Sequence, residues 1–360
     1  MTDAPAVNTV TSARPAISVR GASLPAAEAG LLRLLIVETV EGLYHCEMTL
    51  GNWGTEDGET SFLYLDRQKI DFGDDLEISW RGEDQPVTLF SGKVMGIEGE
   101  YPEGAAPQIT FLAEDRLQDL RMTRRSRSFN DVSDADVFQQ IASDHSLQAE
   151  VNLNGPTYKV LTQVNQSDLA FLRSRARLLA AEVWVDGTTL HAAARPDRGS
   201  EPARLTYNAN LFSFTVLADL ANQRTAVNAS GWDVSSKQAA THEASESVIS
   251  SELNSQPSGP GILAEKIGER KEYLAHTLPF SSSEATTHAE GYFRMMARRF
   301  VTGRGITQPT PVLRAGARVN LAGLGGLFSG EYYVTGVRHV FDNQQGMRTE
   351  FSVERPFISE

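Results

Sequence analysis

Two regions near opposite ends of this 360-residue chain carry the same ordered strand signals, and that pairing restricts the fold more than any single motif does. FGDDLEIS (72–79) and AGARVNLA (315–322) each place a glycine three residues ahead of an alternating strand start. Each is followed by LFSG, at 89–92 and at 327–330, and then by a strand with a glycine and an aliphatic residue, KVMGI or EYYVTGV. Each closes on a strand ending in acid and arginine, ITFLAEDR (109–116) or RTEFSVER (348–355). From the LFSG glycine to that arginine is 24 residues in one copy (92 to 116) and 25 in the other (330 to 355). The ordered set predicts two related small antiparallel β-barrels in a mainly β chain. It places LFSG at equivalent positions in both and makes Gly73, Gly92, Gly316 and Gly330 the turn residues of the repeat.

Between and around these copies the pattern changes. Residues 1–15 lack periodicity and read as a flexible arm; 16–118 form the first barrel region, where LYHCEMTL (43–50) and LEISW (76–80) alternate. Residues 119–200 read as an α+β domain. Ser133 caps a helix with Val137, Phe138, Ile141 and Ala142 on one face. Ser167 caps a second, striped by Leu169, Leu172, Ala176 and Leu179, and Asp186-Gly187 marks a tight hairpin. The second barrel is expected from 201–239 and 304–360. It is interrupted by an insertion at 240–303, made of a Ser/Glu/Pro/Gly-rich mobile segment (240–283) and a helix with a Ser281/Glu284 capping box. That helix carries Ala285, Ala289, Phe293, Met296 and Phe300 as its stripe, and Gly303 lies past its end.

No motif in the chain carries a recognisable catalytic or cofactor-binding pattern. The glycines of GLGGLFSG (323–330) do not make a dinucleotide fingerprint, because Phe328 stands where the third glycine is needed and a strand, not a helix, follows. A phosphate loop needs Lys and Ser/Thr after its last glycine, whereas Gly330 precedes Glu331. His45 and Cys46 point to opposite faces of a strand and form no dyad; Cys46 reads as core. The remaining histidines, at 145, 191, 242, 276, 288 and 339, show no metal-ligand spacing, and no cofactor or metal is expected. A lone cysteine excludes an internal disulfide. The net charge of −13 excludes binding to nucleic acid by bulk attraction. The N-terminus has no signal-peptide pattern and no segment is long enough to span a bilayer, so synthesis and assembly in a bacterial cytoplasm are expected. Asp74-Asp75 and Glu56-Asp57 keep open a glycan-cleaving, cell-wall-degrading enzyme, and the barrels keep open carbohydrate binding. The basic cluster RMTRRSRSF holds Arg121, Arg124, Arg125 and Arg127 in an acidic chain. It reads as a subunit or partner contact, through pairs with carboxylates.

A set of degenerate motifs in fixed order resembles the phage late-control D proteins and the N-terminal hub region of VgrG-type spikes. They include PAISVRGASLP, DFGDDLEISWRG…LFSGKVMGIE, SRSFNDVSDADVFQQIASDHSL and NQSDLAFLRSRARLLAAEVWVDGTTLHA. GWDVSSK, RFVTGRGITQPTPVLRAGARVNLAG and FSGEYYVTGVRHVFDNQQGMRTEFSVERP follow, so the resemblance covers about residues 15–357. It implies a structural, non-enzymatic protein of a phage tail or contractile injection system. The implied assembly is a homotrimeric baseplate hub that joins a hexameric tail tube to a trimeric spike and contacts other baseplate components. VgrG-type chains continue into a further barrel and a β-helix where this one stops, so the resemblance implies a spike on a separate polypeptide.

Overall fold

The computed structural model describes residues 14–56, 58–81, 86–195, 198 and 201–359, and the greater part of the N-terminal arm lies outside them. The first region contributes β1 (Ala16–Val19), β2 (Ala22–Ser23), α1 (Pro25–Gly30), β3 (Leu31–Thr39) and β4 (His45–Gly51). A small hairpin of β5 (Gly54–Glu56) and β6 (Glu59–Ser61) precedes β7 (Asp75–Arg81), β8 (Pro86–Glu100) and β9 (Gln108–Glu114). In β3 a bulge between Leu31 and Arg33 lets Leu31 and Leu34 both face the core although they stand an odd three positions apart. Cys46 is fully buried in that core, beside Ile36, Met48 and Phe111.

The middle region holds α2 (Gln118–Arg121), β10 (Arg124–Ser133), α3 (Asp134–Asp144), β11 (Gln148–Asn152) and β12 (Thr157–Ser167). It ends with α4 (Asp168–Leu178), β13 (Ala181–Asp186) and β14 (Thr189–Ala194). Ser133 and Asp136 form a reciprocal capping box on α3, whose Val137, Phe138, Ile141 and Ala142 are buried as the periodicity predicts. On α4, capped by Ser167, the buried set gains Phe171 and loses Leu179, which follows the last helical residue. Gly187 supplies the positive φ of the β13–β14 hairpin.

The last region begins with β15 (Ala203–Thr206) and β16 (Leu211–Ala218), then leaves the main sheet. β17 (Ala226–Asp233), β18 (Gln238–Ser245), a 3-10 helix (Glu246–Glu252), α5 (Gly259–Lys266), β19 (Lys271–Tyr273) and α6 (Ser282–Arg298) follow. The chain then returns as β20 (Val301–Thr307), β21 (Arg318–Ala322), α7 (Gly325–Phe328), β22 (Gly330–Asp342) and β23 (Gly346–Arg355). Composition predicts a mobile stretch over 240–283, yet its Ile249 and Leu253 pack with Ala289, Phe293 and Val227 in a core of their own. The strand at Ala226–Asp233, expected in the second barrel, belongs instead to this inserted sheet, between β18 and β19. Gly303, expected past the helix end, lies within β20.

Gly291 decides how closely α6 approaches α4: a Cβ there would stand 2.1 Å from the Leu178 carbonyl oxygen. Alanine favours a helix by about 1 kcal/mol over glycine, but relieving that clash requires backbone to shift, which costs more. Gly291→Ala is therefore expected to lower stability by roughly 2 kcal/mol, read from urea unfolding. An unchanged or raised midpoint would refute the close approach.

The two copies do not close into separate barrels. Among the described residues they form one open 13-stranded sheet, whose main path runs β16-β20-β23-β22-β3-β4-β9-β8-β7-β1-β2, with β15 and β21 branching from β22. The expectation of two barrels is corrected accordingly: β3 of the first copy pairs with β22 of the second, so two copies share one sheet. Within it the duplication is legible register by register. Gly73 and Gly316, at φ +80° and +87°, each donate an N–H to a valine carbonyl, that of Val94 or Val334, at 2.8 Å. A bulge follows at Val94/Gly96 and at Val334/Gly336. Val94 then pairs with Ala113 and Val334 with Val353, and from each valine to the strand-end glutamate is 20 residues (94 to 114, 334 to 354). The bulge at Leu31/Arg33, between β3 and β4, recurs at Leu211/Ser213, between β16 and β20. Hence β3, β4, β9, β8 and β7 correspond to β16, β20, β23, β22 and β21.

The LFSG match is not part of that correspondence. Gly92 lies inside β8 opposite Leu76, where a Cβ would meet the Glu114 carbonyl oxygen at 2.3 Å. Gly330 opens β22 opposite Leu321 at φ +125°, and the residue in the place of Gly92 is Tyr332. The tetrapeptides are two positions out of step. Only Gly73 and Gly316, of the four glycines, are true equivalents.

Candidate assembly interface

Three features could serve contacts between molecules: the basic cluster, a buried ionic junction, and the open face and edges of the large sheet. In the basic cluster most side chains have partners inside the chain. Arg121 Nη2 donates to Glu114 Oε2 at 2.5 Å. Arg127 donates to Asp144, to Gln163 and, at 2.8 Å, to Asp168 Oδ1, and its guanidinium lies over the Phe129 ring. Arg125 and His145 also face Asp168, which is 1% exposed at the start of α4. Burial works to raise the Asp168 pKa, but His145, Gln163 and the two arginines together hold it below the ordinary carboxylate value. Arg124 donates to the Asn165 carbonyl, and among the described residues it pairs with no carboxylate. The geometry thus brings Arg125 and Arg127 together on one buried acid and leaves Arg124 apart.

The second feature escapes sequence reasoning. Glu182 of β13, 6% exposed, accepts from Arg195 Nε at 3.0 Å, Arg198 Nη1 at 2.6 Å and the Tyr333 hydroxyl at 2.6 Å. Arg195 also pairs with Glu354, while Arg198 donates to the Ala315 carbonyl and lies 3.7 Å over the Trp184 ring. Burial disfavours the charge on Arg195, but Glu354 and Glu182 outweigh it and hold its pKa above the ordinary value. Burial and the Glu182 charge push the Tyr333 hydroxyl up. This junction fixes the middle domain to the second copy of the sheet. A glutamate in the apolar strand AEVWVD was its one visible signal.

A related ion pair ties the two copies: Arg314 Nε lies 2.6 Å from Glu38 Oε1, and Glu38, 1% exposed, also accepts from the Ala315 N–H. In front of this joint the sheet bears a groove of about 600 Å³, lined in part by Thr39, Ser213, Thr215, Arg304, Arg338 and Glu350. Its lining mixes both charges with hydroxyls. Such a face suits a broad protein contact better than a small apolar ligand.

The candidate enzymatic carboxylates sit at strand ends, Asp74 and Asp75 at the start of β7 and Glu56 at the end of β5. Asp74 accepts from the Asp71 N–H and pairs with Arg20, and Asp75 pairs with Lys93. Asp57 lies outside the described residues. Among the described residues no group of His, Cys, Asp and Glu could hold a metal ion, and no helix is long and apolar enough to cross a membrane.

Residues 9–343 match the family described as the Alg8 N-terminal domain. The chain belongs to that family. The matched family is thus described as the Alg8 N-terminal domain, whereas the sequence motifs resemble late-control D proteins. No curated protein matches in sequence. In fold, the Alg8 N-terminal domain chain is similar to the 43 kDa tail protein of prophage MuSo2 from Shewanella oneidensis. The TM-score is 0.68 at 12% identity, over 95% of this chain and 98% of that one. A tail protein from Neisseria meningitidis MC58 matches with TM-score 0.66 at 12% identity, over 95% and 96%. The E. coli c3393 protein, a component of the type VI secretion system, matches with TM-score 0.57 at 9% identity, over 96% of this chain and 76% of that one. The fold is that of phage tail proteins and their type VI relatives.

Proposed function

We infer that the protein is a structural hub of a contractile tail or injection system. Three copies would form a ring that meets a hexameric tail tube on one side and a trimeric spike on the other, with further baseplate components around it. The observation that carries this reading is the duplication inside one sheet. Two five-strand units with the same order and two matching bulges let three chains present six near-equivalent units, which reconciles a six-fold partner with a three-fold one. The fold shared with tail proteins supports it, and the mixed-charge sheet face supplies a surface of the kind large assemblies use. In this reading the protein acts by broad contacts and performs no reaction, and Arg124 is the member of the basic cluster best placed to meet a partner.

Mass measurement tests the reading. Native mass spectrometry is expected to give a particle of about three times the 39.4 kDa chain mass, and electron-microscope class averages a three-fold outline. A strict monomer, or particles with two-fold symmetry only, would sink it. A peptidoglycan zymogram is expected to show no clearing, and a cleared band would move the assignment to the glycan-cleaving alternative.

A further inference from the structure

We propose that a cavity between α4, α6 and β19 takes a tyrosine side chain from a partner protein, with the phenol hydroxyl on His288. The cavity measures about 350 Å³. That lies near the lower end of the roughly 300–1,000 Å³ of ligand pockets, which is room for one ring and not for a nucleotide. His288, Tyr292 and Met295 recur at helical spacing on one face of α6, beside the stripe that packs into the inserted core. Leu178 closes the cavity from the end of α4, and Leu274 and His276 close it from the segment that follows β19. Tyr292 donates to Glu272 Oε1 at 2.8 Å, and Arg224 Nε lies 2.9 Å from the other carboxylate oxygen. The wall at β19 is therefore fixed before any ligand arrives.

His288 is the polar group that the chain itself leaves unused. It is 7% exposed, and its Nδ1 is buried without a hydrogen-bond partner among the described residues, so Nε2 is the nitrogen left for a ligand. Burial first, and the Arg175 charge second, hold the ring below its ordinary pKa against the pull of Asp134, and the imidazole is neutral at pH 7. A neutral imidazole balances no anion, and Arg177 at the mouth already pairs with Glu41. An uncharged hydroxyl suits either tautomer, because it both donates and accepts. Apolar walls with one such group fit a phenol ring. The rim favours a protein as its source. Tyr273, Leu278 and Phe280 are large and exposed there, and they do not sit on a loose loop. Pro279 between the last two is buried, and its carbonyl oxygen would stand 2.0 Å from a Cβ on Gly231. The Phe280 N–H also donates to Glu284 Oε2 at 3.1 Å. A fixed apolar rim around a cavity is what a partner with a protruding aromatic anchor covers, whereas a free phenol would leave the rim wet. None of these residues belongs to the large sheet, so the site survives or fails independently of the hub reading.

Saturation-transfer NMR on the full chain, with the isolated side chain as probe, tests the site. p-Cresol is expected to bind about fivefold more tightly than toluene, the difference that one hydrogen bond supplies. His288→Leu should bind the two equally. Ala275→Trp, at an exposed position on the mouth, should block both while the fold is kept. N-acetyl-tyrosinamide carries the same ring on a peptide backbone and is expected to bind at least as tightly as p-cresol, because that backbone rests on the rim. Binding of p-cresol without binding of the blocked tyrosine makes a free phenol the ligand and overturns the docking. Equal binding of p-cresol and toluene to the wild-type protein, p-cresol binding that persists in Ala275→Trp, or no binding of any probe overturns the site itself. Should His288→Leu fail to fold, the p-cresol to toluene ratio and the Ala275→Trp block decide alone.

Discussion

Glu182→Leu is expected to lower the unfolding free energy by about 3–5 kcal/mol, the range for breaking a buried ion pair from one side. The size follows from what is left behind. Arg195 and Arg198 converge on this one carboxylate, and among the described residues Arg198 pairs with no other acid. Leucine fills comparable space but strands a guanidinium away from water, and a desolvated charge cannot recover its hydration without opening the junction. Tyr333→Phe removes only a hydroxyl donor from the same carboxylate, and about 1 kcal/mol is expected. Chemical unfolding of the two variants checks the contrast. Because the junction joins β13 to β22 and β23, Glu182→Leu should also separate unfolding of the middle domain from that of the sheet. Equal, small losses in both variants would show that the junction is solvated and carries little.

Acid should weaken the protein through His339. Its ring lies in β22 opposite Ile36, at the joint between the two copies, with Nδ1 3.1 Å from Thr349 Oγ1. Burial first, and the Arg314 charge second, push its pKa down to about 3 from the usual 6.5. A depressed folded-state value means that the unfolded chain takes up the proton first. Stability is therefore whole above about pH 6.5 and is lost as pH falls toward 3. At 1.36 kcal/mol per unit the full loss is on the order of 5 kcal/mol, and about 2 kcal/mol should be gone by pH 5. Asp115 works in the opposite sense. Burial raises its pKa to about 7 against the pull of the Tyr44 and Leu117 N–H groups, so it favours the fold at low pH and ceases to as pH rises toward 7. The difference between wild type and His339→Leu isolates the histidine: melting temperatures should converge as pH drops from 7 to 4. Parallel curves would show that His339 is solvated in the fold.

Much of the β architecture is readable from residue order because strand signals are local. The Ser133 and Ser167 caps, the Asp186-Gly187 hairpin and the burial of Cys46 follow from side chains acting on their own backbone within a few residues. The repeat is also legible, though its most visible token misleads. LFSG is a chance match of letters, while the equivalences that count, Gly73 with Gly316 and Val94 with Val334, are conserved as backbone conformation and hydrogen bonding. Composition at 240–283 likewise misleads, since a few apolar residues suffice when α6 already offers a face to pack on.

What the sequence by itself determined is the alternation, the caps and the duplicated order of strands, all properties of neighbours along the chain. Only the tertiary structure decided that the two copies share one open sheet and close no barrel. That outcome depends on which edge β3 meets, a long-range choice made by backbone hydrogen bonds that every residue can form. The same holds for Glu182 with its two arginines. Residues distant in order become partners, or are left without one, only when the sheet is assembled.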